Sequence, residues 1–348
     1  MAFVPVLHSE LLPIIDYGVT FVTAVKHGSR VYAASRTGIY RLSEDAQTAE
    51  LVFSFGTTFS YHCALNSTGQ VLFLTGGSST TETSVYRSFD GTSWEIWKAH
   101  DGTHRWRISG AGDGGYVLAD VTNGGTVRTL GAVDGSTISV GFDTYGSPMH
   151  QLYHPQALLL NPLGTNRLWA ARNTVLSVAS DLSVSSVDVG NPGSLFSLMK
   201  GSEGLFAHAI QEVDGATISY LSRSTNGATW ETLFTEFAGR WATGSAIYTK
   251  FGVLATVSED SIDYGVGYRY TFLQSESVTS FASGQAGYSN PNQVCAQFVL
   301  PLSETEFLFV GKLNHNTSPA SGQILRLYAE PPVTPEFWTA FVNTYEIR

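Results

Sequence analysis

The chain has 348 residues, a formal net charge of −10 and 14% charged residues, where about 25% is usual. This balance disfavours a nucleic-acid partner, because neutralising phosphates requires clustered Lys and Arg, and the chain has no basic stripe. Its length permits two domains, but closed all-β architectures often reach this length as one unit. With 12% aromatic residues and many β-branched ones, the chain has the composition of a folded protein.

The first residues do not resemble a targeting signal. Met1 to His8 lacks the basic start and the long apolar core of a signal peptide. No stretch approaches the roughly 20 apolar residues that a membrane span needs. We therefore expect synthesis in a cytoplasm without membrane insertion, and release, where it occurs, by lysis or inside a particle.

A short strand ending in Arg recurs in seven slots, one of which has Ser instead. The preceding segment in each slot is apolar without a helical period, as in the run from Val31 to Ser35, which is typical of a strand buried on both faces. The spacing of the slots, about 41 to 57 residues, lies close to that of propeller blades. We predict one domain over residues 1–348, an all-β propeller of about seven four-stranded blades. The seven positions are Arg41, Arg87, Arg128, Ser177, Arg223, Arg269 and Arg326.

The strand that completes the last blade has two candidates. It is either the C-terminal Phe337–Phe341 or the N-terminal Phe3–Leu7. We therefore treat residues 1–17 and 331–348 as terminal segments, one of which closes the ring and removes its exposed sheet edges.

A turn motif, Ser-x-Asp/Asn-Gly-x-Ser/Thr-Trp, follows two of the Arg strands. The Asp or Asn side chain is expected to cap the turn, Gly to adopt a positive φ, and Trp to anchor the loop in the core. Ser43–Thr48 and Asp134–Thr137 are eroded versions. The structural positions of the two full copies are Ser88, Asp90, Gly91 and Trp94, and Ser224, Asn226, Gly227 and Trp230.

This motif resembles the Asp-box, or bacterial neuraminidase repeat, in the short form found in sialidase-like propellers and phage-encoded proteins. The resemblance implies a structural turn on the face away from the ligand-binding face. The Phe/Tyr-Arg-Ile-Pro signature of the sialidases is absent, so sialidase activity is not expected.

Two loops between second and third strands are longer than a turn requires, Val257–Gly267 and Lys312–Gly322. Function concentrates in such loops. They combine hydrogen-bonding groups with a ring that can stack, which suits sugars, and we predict no catalytic, metal or cofactor set. The candidate binding residues are Asp263, Tyr264, Asn314, His315 and Asn316.

These features favour a non-enzymatic structural or binding protein of a viral particle, such as a phage tail, fibre or capsid-surface component. It would dock to another virion protein or to a host surface glycan. The grounds are the missing export signal, the low charge, the abundance of Ser, Thr and Gly, and the short turn motif. The alternatives are a carbohydrate-active hydrolase of the sialidase-like superfamily, with paired carboxylates at the channel mouth, and a cytosolic interaction scaffold.

Overall fold

The computed structural model describes residues 7–59, 63–78, 83–102, 106–110, 116–121, 126–131, 137–143, 158–160, 167–171, 174–179, 181, 183–190, 194–201, 204–214, 216–239, 246–258, 266–274, 277–282, 295–312 and 320–329. Their regular structure is β-strand throughout.

The first fourteen strands cover the N-terminal part of the chain. They are β1 (Leu7–Leu11), β2 (Ile15–Asp16), β3 (Phe21–His27), β4 (Arg30–Ser35), β5 (Gly38–Leu42), β6 (Ala49–Ser54), β7 (Ala64–Ser67), β8 (Leu72–Gly76), β9 (Ser84–Ser88), β10 (Glu95–Lys98), β11 (Trp106–Gly110), β12 (Tyr116–Val121), β13 (Thr126–Gly131) and β14 (Thr137–Asp143).

Fifteen more strands follow. They are β15 (Leu158–Leu160), β16 (Arg167–Ala171), β17 (Thr174–Val178), β18 (Val184–Asp188), β19 (Ser194–Gly201), β20 (Gly204–Val213), β21 (Ala216–Ser224), β22 (Glu231–Gly239), β23 (Ala246–Thr249), β24 (Gly252–Ser258), β25 (Val266–Gln274), β26 (Ser277–Ala282), β27 (Cys295–Pro301), β28 (Glu306–Lys312) and β29 (Ala320–Ala329).

The strands form antiparallel sheets in chain order. Sheets 1 to 6 each contain four consecutive strands: β3–β6, β7–β10, β11–β14, β15–β18, β19–β22 and β23–β26. Sheet 7 contains β27, β28 and β29, with β1 as its fourth strand and β2 also paired to β29. The first strand of each sheet contacts the first strand of the next, and β27 contacts β3. The arrangement is all-β and propeller-like, as predicted.

The core lies between neighbouring sheets, because the second strands are apolar on both faces. In β4, every residue after Arg30 is buried. Tyr32 and Ala34 pack towards sheet 2, against Leu65 and Leu72, whereas Ala33 packs towards sheet 7. Burying a large apolar side chain contributes roughly 1.5–3 kcal/mol. A sheet of this kind is therefore stable only between two neighbours.

The recurrent Arg slots are correctly assigned. All seven residues lie on the third strand of their sheets, β5, β9, β13, β17, β21, β25 and β29. Three of them face an aromatic residue of the second strand across the sheet: Arg41 faces Tyr32, Arg87 faces Phe73 and Arg223 faces Phe206.

The N-terminus supplies the strand that completes sheet 7. Strand β1 pairs with β29 in antiparallel register, and Glu10 lies opposite Arg326. The pairing continues beyond β1, where the Leu12 amide donates to the Ile324 carbonyl over 2.9 Å. The described part of this strand is Leu7–Leu11, whereas residues 3–6 of the predicted Phe3–Leu7 lie outside the described residues, so closure of the ring by one terminus stays a prediction. The other candidate, Phe337–Phe341, lies outside the described residues.

A histidine of sheet 5 is buried. His208 on β20 is 4% exposed, and its Nδ1 has no hydrogen-bond partner among the described residues. Burial lowers the pKa of His208 to about 4, because an imidazolium loses its hydration there. His208 is therefore neutral in the folded protein at pH 7.

We expect the free energy of unfolding to fall as the pH is lowered from about 6.5 to about 4. In this window the unfolded chain binds a proton at His208 and the folded protein does not. The full loss is about 3 kcal/mol, from a difference of roughly two and a half pKa units. Urea unfolding at several pH values should show this slope in the wild type and a shallower one in His208→Gln. Equal slopes would show that His208 does not titrate differently on folding.

Candidate binding surface

The predicted loop residues cannot be placed. Asp263, Tyr264, Asn314, His315 and Asn316 all lie outside the described residues. The structure does describe the strands that carry these loops, β24 with β25 and β28 with β29. The loop site stays a prediction.

The first turn motif adopts the predicted hydrogen bonding. Asp90 Oδ1 accepts from the amides of Thr92 and Ser93 over 2.8 and 2.7 Å, and Ser88 Oγ accepts from the Gly91 amide over 2.8 Å. These bonds from Ser93 and Thr92 hold the pKa of Asp90 well below its usual value. Gly91 has a φ of 76°, a conformation that glycine adopts readily.

The second copy repeats these contacts with an amide in place of the carboxylate. Asn226 Oδ1 accepts from the amides of Ala228 and Thr229, each over 2.8 Å. Ser224 Oγ accepts from the Gly227 amide over 2.8 Å, and Gly227 has a φ of 75°. The turn therefore depends on a side-chain oxygen and not on a negative charge.

The eroded turn in sheet 1 keeps part of this geometry. Asp45 Oδ1 accepts from Ser43 Oγ and from the Gln47 amide over 2.6 and 3.1 Å. Ala46 takes the place of glycine at a φ of 57° and is buried in the core between sheets 7 and 1. Asp134, in the other eroded turn, lies outside the described residues.

Both tryptophans anchor their turns to the preceding sheet and are only half-buried. Trp94 of sheet 2 packs against the core shared with sheet 1, with its ring centre 6.0 Å from that of Phe53. Trp230 of sheet 5 packs against a core that includes Val175 of sheet 4. Trp94 Nε1 donates to the Gly91 carbonyl over 3.3 Å, whereas Trp230 Nε1 has no partner among the described residues.

Four of the recurrent arginines, all with described side chains, bind carboxylates on neighbouring strands. Arg41 pairs with Glu50 and Arg87 with Glu95, in each case directly across from the third to the fourth strand. Arg223 pairs with Glu231 in the same way over 2.6 Å. The missed signal was a Glu eight or nine residues after the Arg, directly following Trp in both full motifs.

Arg326 repeats this pairing with an additional carboxylate. It lies 3.2 Å from Glu10 on β1 and 2.8 Å from Glu306 on β28. The same type of ion pair therefore links the N-terminal strand to sheet 7.

A line of aromatic and cationic side chains follows the outer part of sheet 2. The Arg87 guanidinium lies 5.5 Å from the ring centre of Phe89 and 5.8 Å from that of Trp97. Lys98 Nζ lies 5.5 Å from the ring centres of both Trp97 and Trp106, the latter in sheet 3. Such contacts hold flat side chains in fixed orientations.

Phe89 is the exposed end of this line. Its side chain is 64% exposed, and the turn does not require it, because Glu44 and Thr225 occupy the same position in sheets 1 and 5. Together with Arg87, Glu95 and Trp97 it forms what we call the rim patch. An exposed ring beside an Arg–Glu pair combines a stacking surface with charged hydrogen-bonding groups.

Two further properties concern the described residues only. No group of three or more His, Cys, Asp or Glu side chains there could hold a metal ion. No helix in that part of the chain is long and apolar enough to cross a membrane.

Comparison with known proteins shows the fold alone. No protein-family profile matches the chain, and no curated protein matches it significantly. The Pan2 WD40 domain of Neurospora crassa aligns with a TM-score of 0.54 and 10% identity, covering 91% of this chain and 95% of that one. A proposed 6-phosphogluconolactonase of Bacteroides fragilis aligns with a TM-score of 0.53 and 14% identity, covering 87% of this chain and 88% of that one. WD40 repeats build propellers.

We expect Gly91→Ala to destabilise the protein by about 3 kcal/mol. An Ala there would adopt a left-handed conformation, at about 1–2 kcal/mol, and its Cβ would also overlap the hydroxyl of the buried Tyr32, adding about 1–3 kcal/mol. Gly56→Ala is the matched control, because Gly56 has a similar φ of 69° with open space around it. Urea denaturation should show a larger loss for Gly91→Ala. Equal losses would mean that the turn does not pack on Tyr32.

Proposed function

We propose that the chain is a non-enzymatic binding protein that docks through its rim patch to a surface glycan. The exposed Phe89 beside the Arg87–Glu95 pair supports this most directly. Aromatic rings stack on the apolar faces of sugars, and Arg and Glu can bond the hydroxyl groups. Arg, Trp and Phe are also enriched at protein interfaces, and Arg and Trp are frequent among the residues that carry most of the binding energy.

The scaffold of this proposal is one closed domain. We infer that each of the seven sheets is a blade of a single propeller spanning the chain, with β1 closing the ring. The contacts of the first strands around the ring support this, as does the pairing of β1 with β29. A closed ring holds surface side chains rigidly, which lowers the entropic cost of binding.

The proposed setting is a viral particle, in which the protein bridges another virion protein and a host glycan. Sequence features support this setting: low charge, abundant Ser, Thr and Gly, and the short Asp-box-like turn. The sialidase-like resemblance rests on that turn. The predicted loops with Tyr264 and His315 are a second candidate surface for the same ligand.

The test screens the purified protein on immobilised sialosides and common surface polysaccharides, and measures product release from the same panel. We expect at least one glycan to be retained and none to be hydrolysed. Phe89→Ala should weaken retention about tenfold or more, as for an interface hot spot. Ile96→Ala is the matched control, because Ile96 is 57% exposed on the same rim strand and lies outside the patch.

Three outcomes would contradict the proposal in different ways. Hydrolysis that one carboxylate substitution abolishes would favour the glycoside hydrolase. Loss of retention in Tyr264→Ala with His315→Ala, and not in Phe89→Ala, would move the site to the loops. Retention of no glycan would favour the interaction scaffold.

A further inference from the structure

Lysine is scarce in this chain, and it is concentrated at one end of the ring. Three of the five lysines, Lys26, Lys200 and Lys250, lie at or beside the turns that join first to second strands in sheets 1, 5 and 6. Arg30 follows the same turn in sheet 1 as Lys26. Since every sheet begins with its inner strand, these turns surround one end of the inner strands. We call these four residues the basic end.

Most described carboxylates near this end lie further from the ring centre than the four cations do. Among the described residues of these turns, Glu304 is the only acid, because Glu306 lies on β28 and pairs with Arg326. Asp45 and Asp90 lie in turns between third and fourth strands, two strand spacings or about 10 Å further out. That distance exceeds the Debye length of about 8 Å at physiological salt. Asp113 and Glu203, which follow the first strands of sheets 3 and 5 in sequence, lie outside the described residues.

Polar contacts between sheets hold the basic end in place. Lys26 Nζ of sheet 1 donates to the Leu302 carbonyl of sheet 7 over 3.0 Å. His27 Nδ1 and Ser67 Oγ, of sheets 1 and 2, lie 2.8 Å apart. Lys26 and Arg30 therefore flank a turn that contacts both neighbouring sheets, so that a partner need not order it.

The ion pair between Lys250 and Glu304 indicates what such a surface would bind. The two side chains lie 2.8 Å apart and link sheets 6 and 7, with 45% and 81% of their surfaces exposed. An exposed pair of this kind contributes little to stability, so another carboxylate can replace Glu304 on Lys250 at little cost. Lys200 and Arg30 are exposed beside it in the ring.

We propose that the basic end docks an acidic segment of a partner protein, whose carboxylates bind Arg30, Lys200 and Lys250 and displace Glu304. The inference rests on the proposed function, since it assigns the protein partner to a surface separate from the rim patch. The chain as a whole carries a net charge of −10, which repels an extended polyanion but tolerates a short acidic segment within a Debye length of the cations.

The probe is fluorescein-labelled hexaglutamate, with hexaglutamine as the uncharged peptide, and binding is measured by fluorescence anisotropy at physiological ionic strength. We expect hexaglutamate alone to bind, and its affinity to fall at least tenfold in Lys200→Glu with Lys250→Glu. Glu304→Gln should bind the probe about threefold more tightly, since Lys250 then has no carboxylate partner to exchange. Phe89→Ala should bind it like the wild type, which separates this surface from the glycan site.

Glu44→Gln is the matched control for charge. It removes the same negative charge from an exposed residue at the same end, in an outer turn of sheet 1, and should leave the affinity unchanged. Equal tightening in Glu44→Gln and Glu304→Gln would overturn the proposal in favour of a general charge effect. The proposal would also fail if hexaglutamate does not bind, or if the Lys200→Glu with Lys250→Glu variant binds hexaglutamate like the wild type.

Discussion

The fold depends on one constraint, which is that the second strand of each sheet is apolar on both faces. The side chains of Tyr32 and Ala33 on β4 project from opposite faces of the sheet. Each needs a neighbouring sheet to exclude water from it. A row of such sheets would end in two uncovered apolar faces. A ring removes them, and the first strands do contact one another from β3 round to β27 and back.

The outer parts of the sheets show what the packing between neighbouring sheets leaves free. The third and fourth strands are tied by Arg–Glu pairs across single rungs, as in Arg223 with Glu231, and by turns that pack on the preceding sheet through Trp94 or Trp230. These contacts stabilise the rim without using all of its surface. Phe89 has no such part in the fold, and the exposed pair of Lys250 with Glu304 contributes little to stability, so these residues are where binding is proposed.

Much of the fold could be predicted because the sequence motifs recur once in each four-stranded sheet. The third-strand Arg and the Ser-x-Asp/Asn-Gly turn are local signals, readable within a few residues. Contacts between strands differ in this respect. The pair of Arg87 with Glu95 leaves a local signal, a Glu eight residues after the Arg, whereas the pair of Arg326 with Glu10 joins distant parts of the chain and leaves none. Both termini contain apolar strand-like segments, so pattern alone could not choose between them. The rim patch was missed because Phe89 resembles any turn residue until its exposure is known.

The most direct test of the account is a cross-link between the two ends of the chain. His8 and Tyr328 lie opposite each other in the β1–β29 pair, and opposed residues in antiparallel strands are about 4.5–5.5 Å apart at Cα, within the range of a disulfide. The account predicts that His8→Cys with Tyr328→Cys forms an intramolecular disulfide in nearly all molecules under mild oxidation, detected by mass spectrometry of the digested monomer. Absence of this cross-link, or its appearance only between two chains, would contradict closure of the ring by the N-terminal strand.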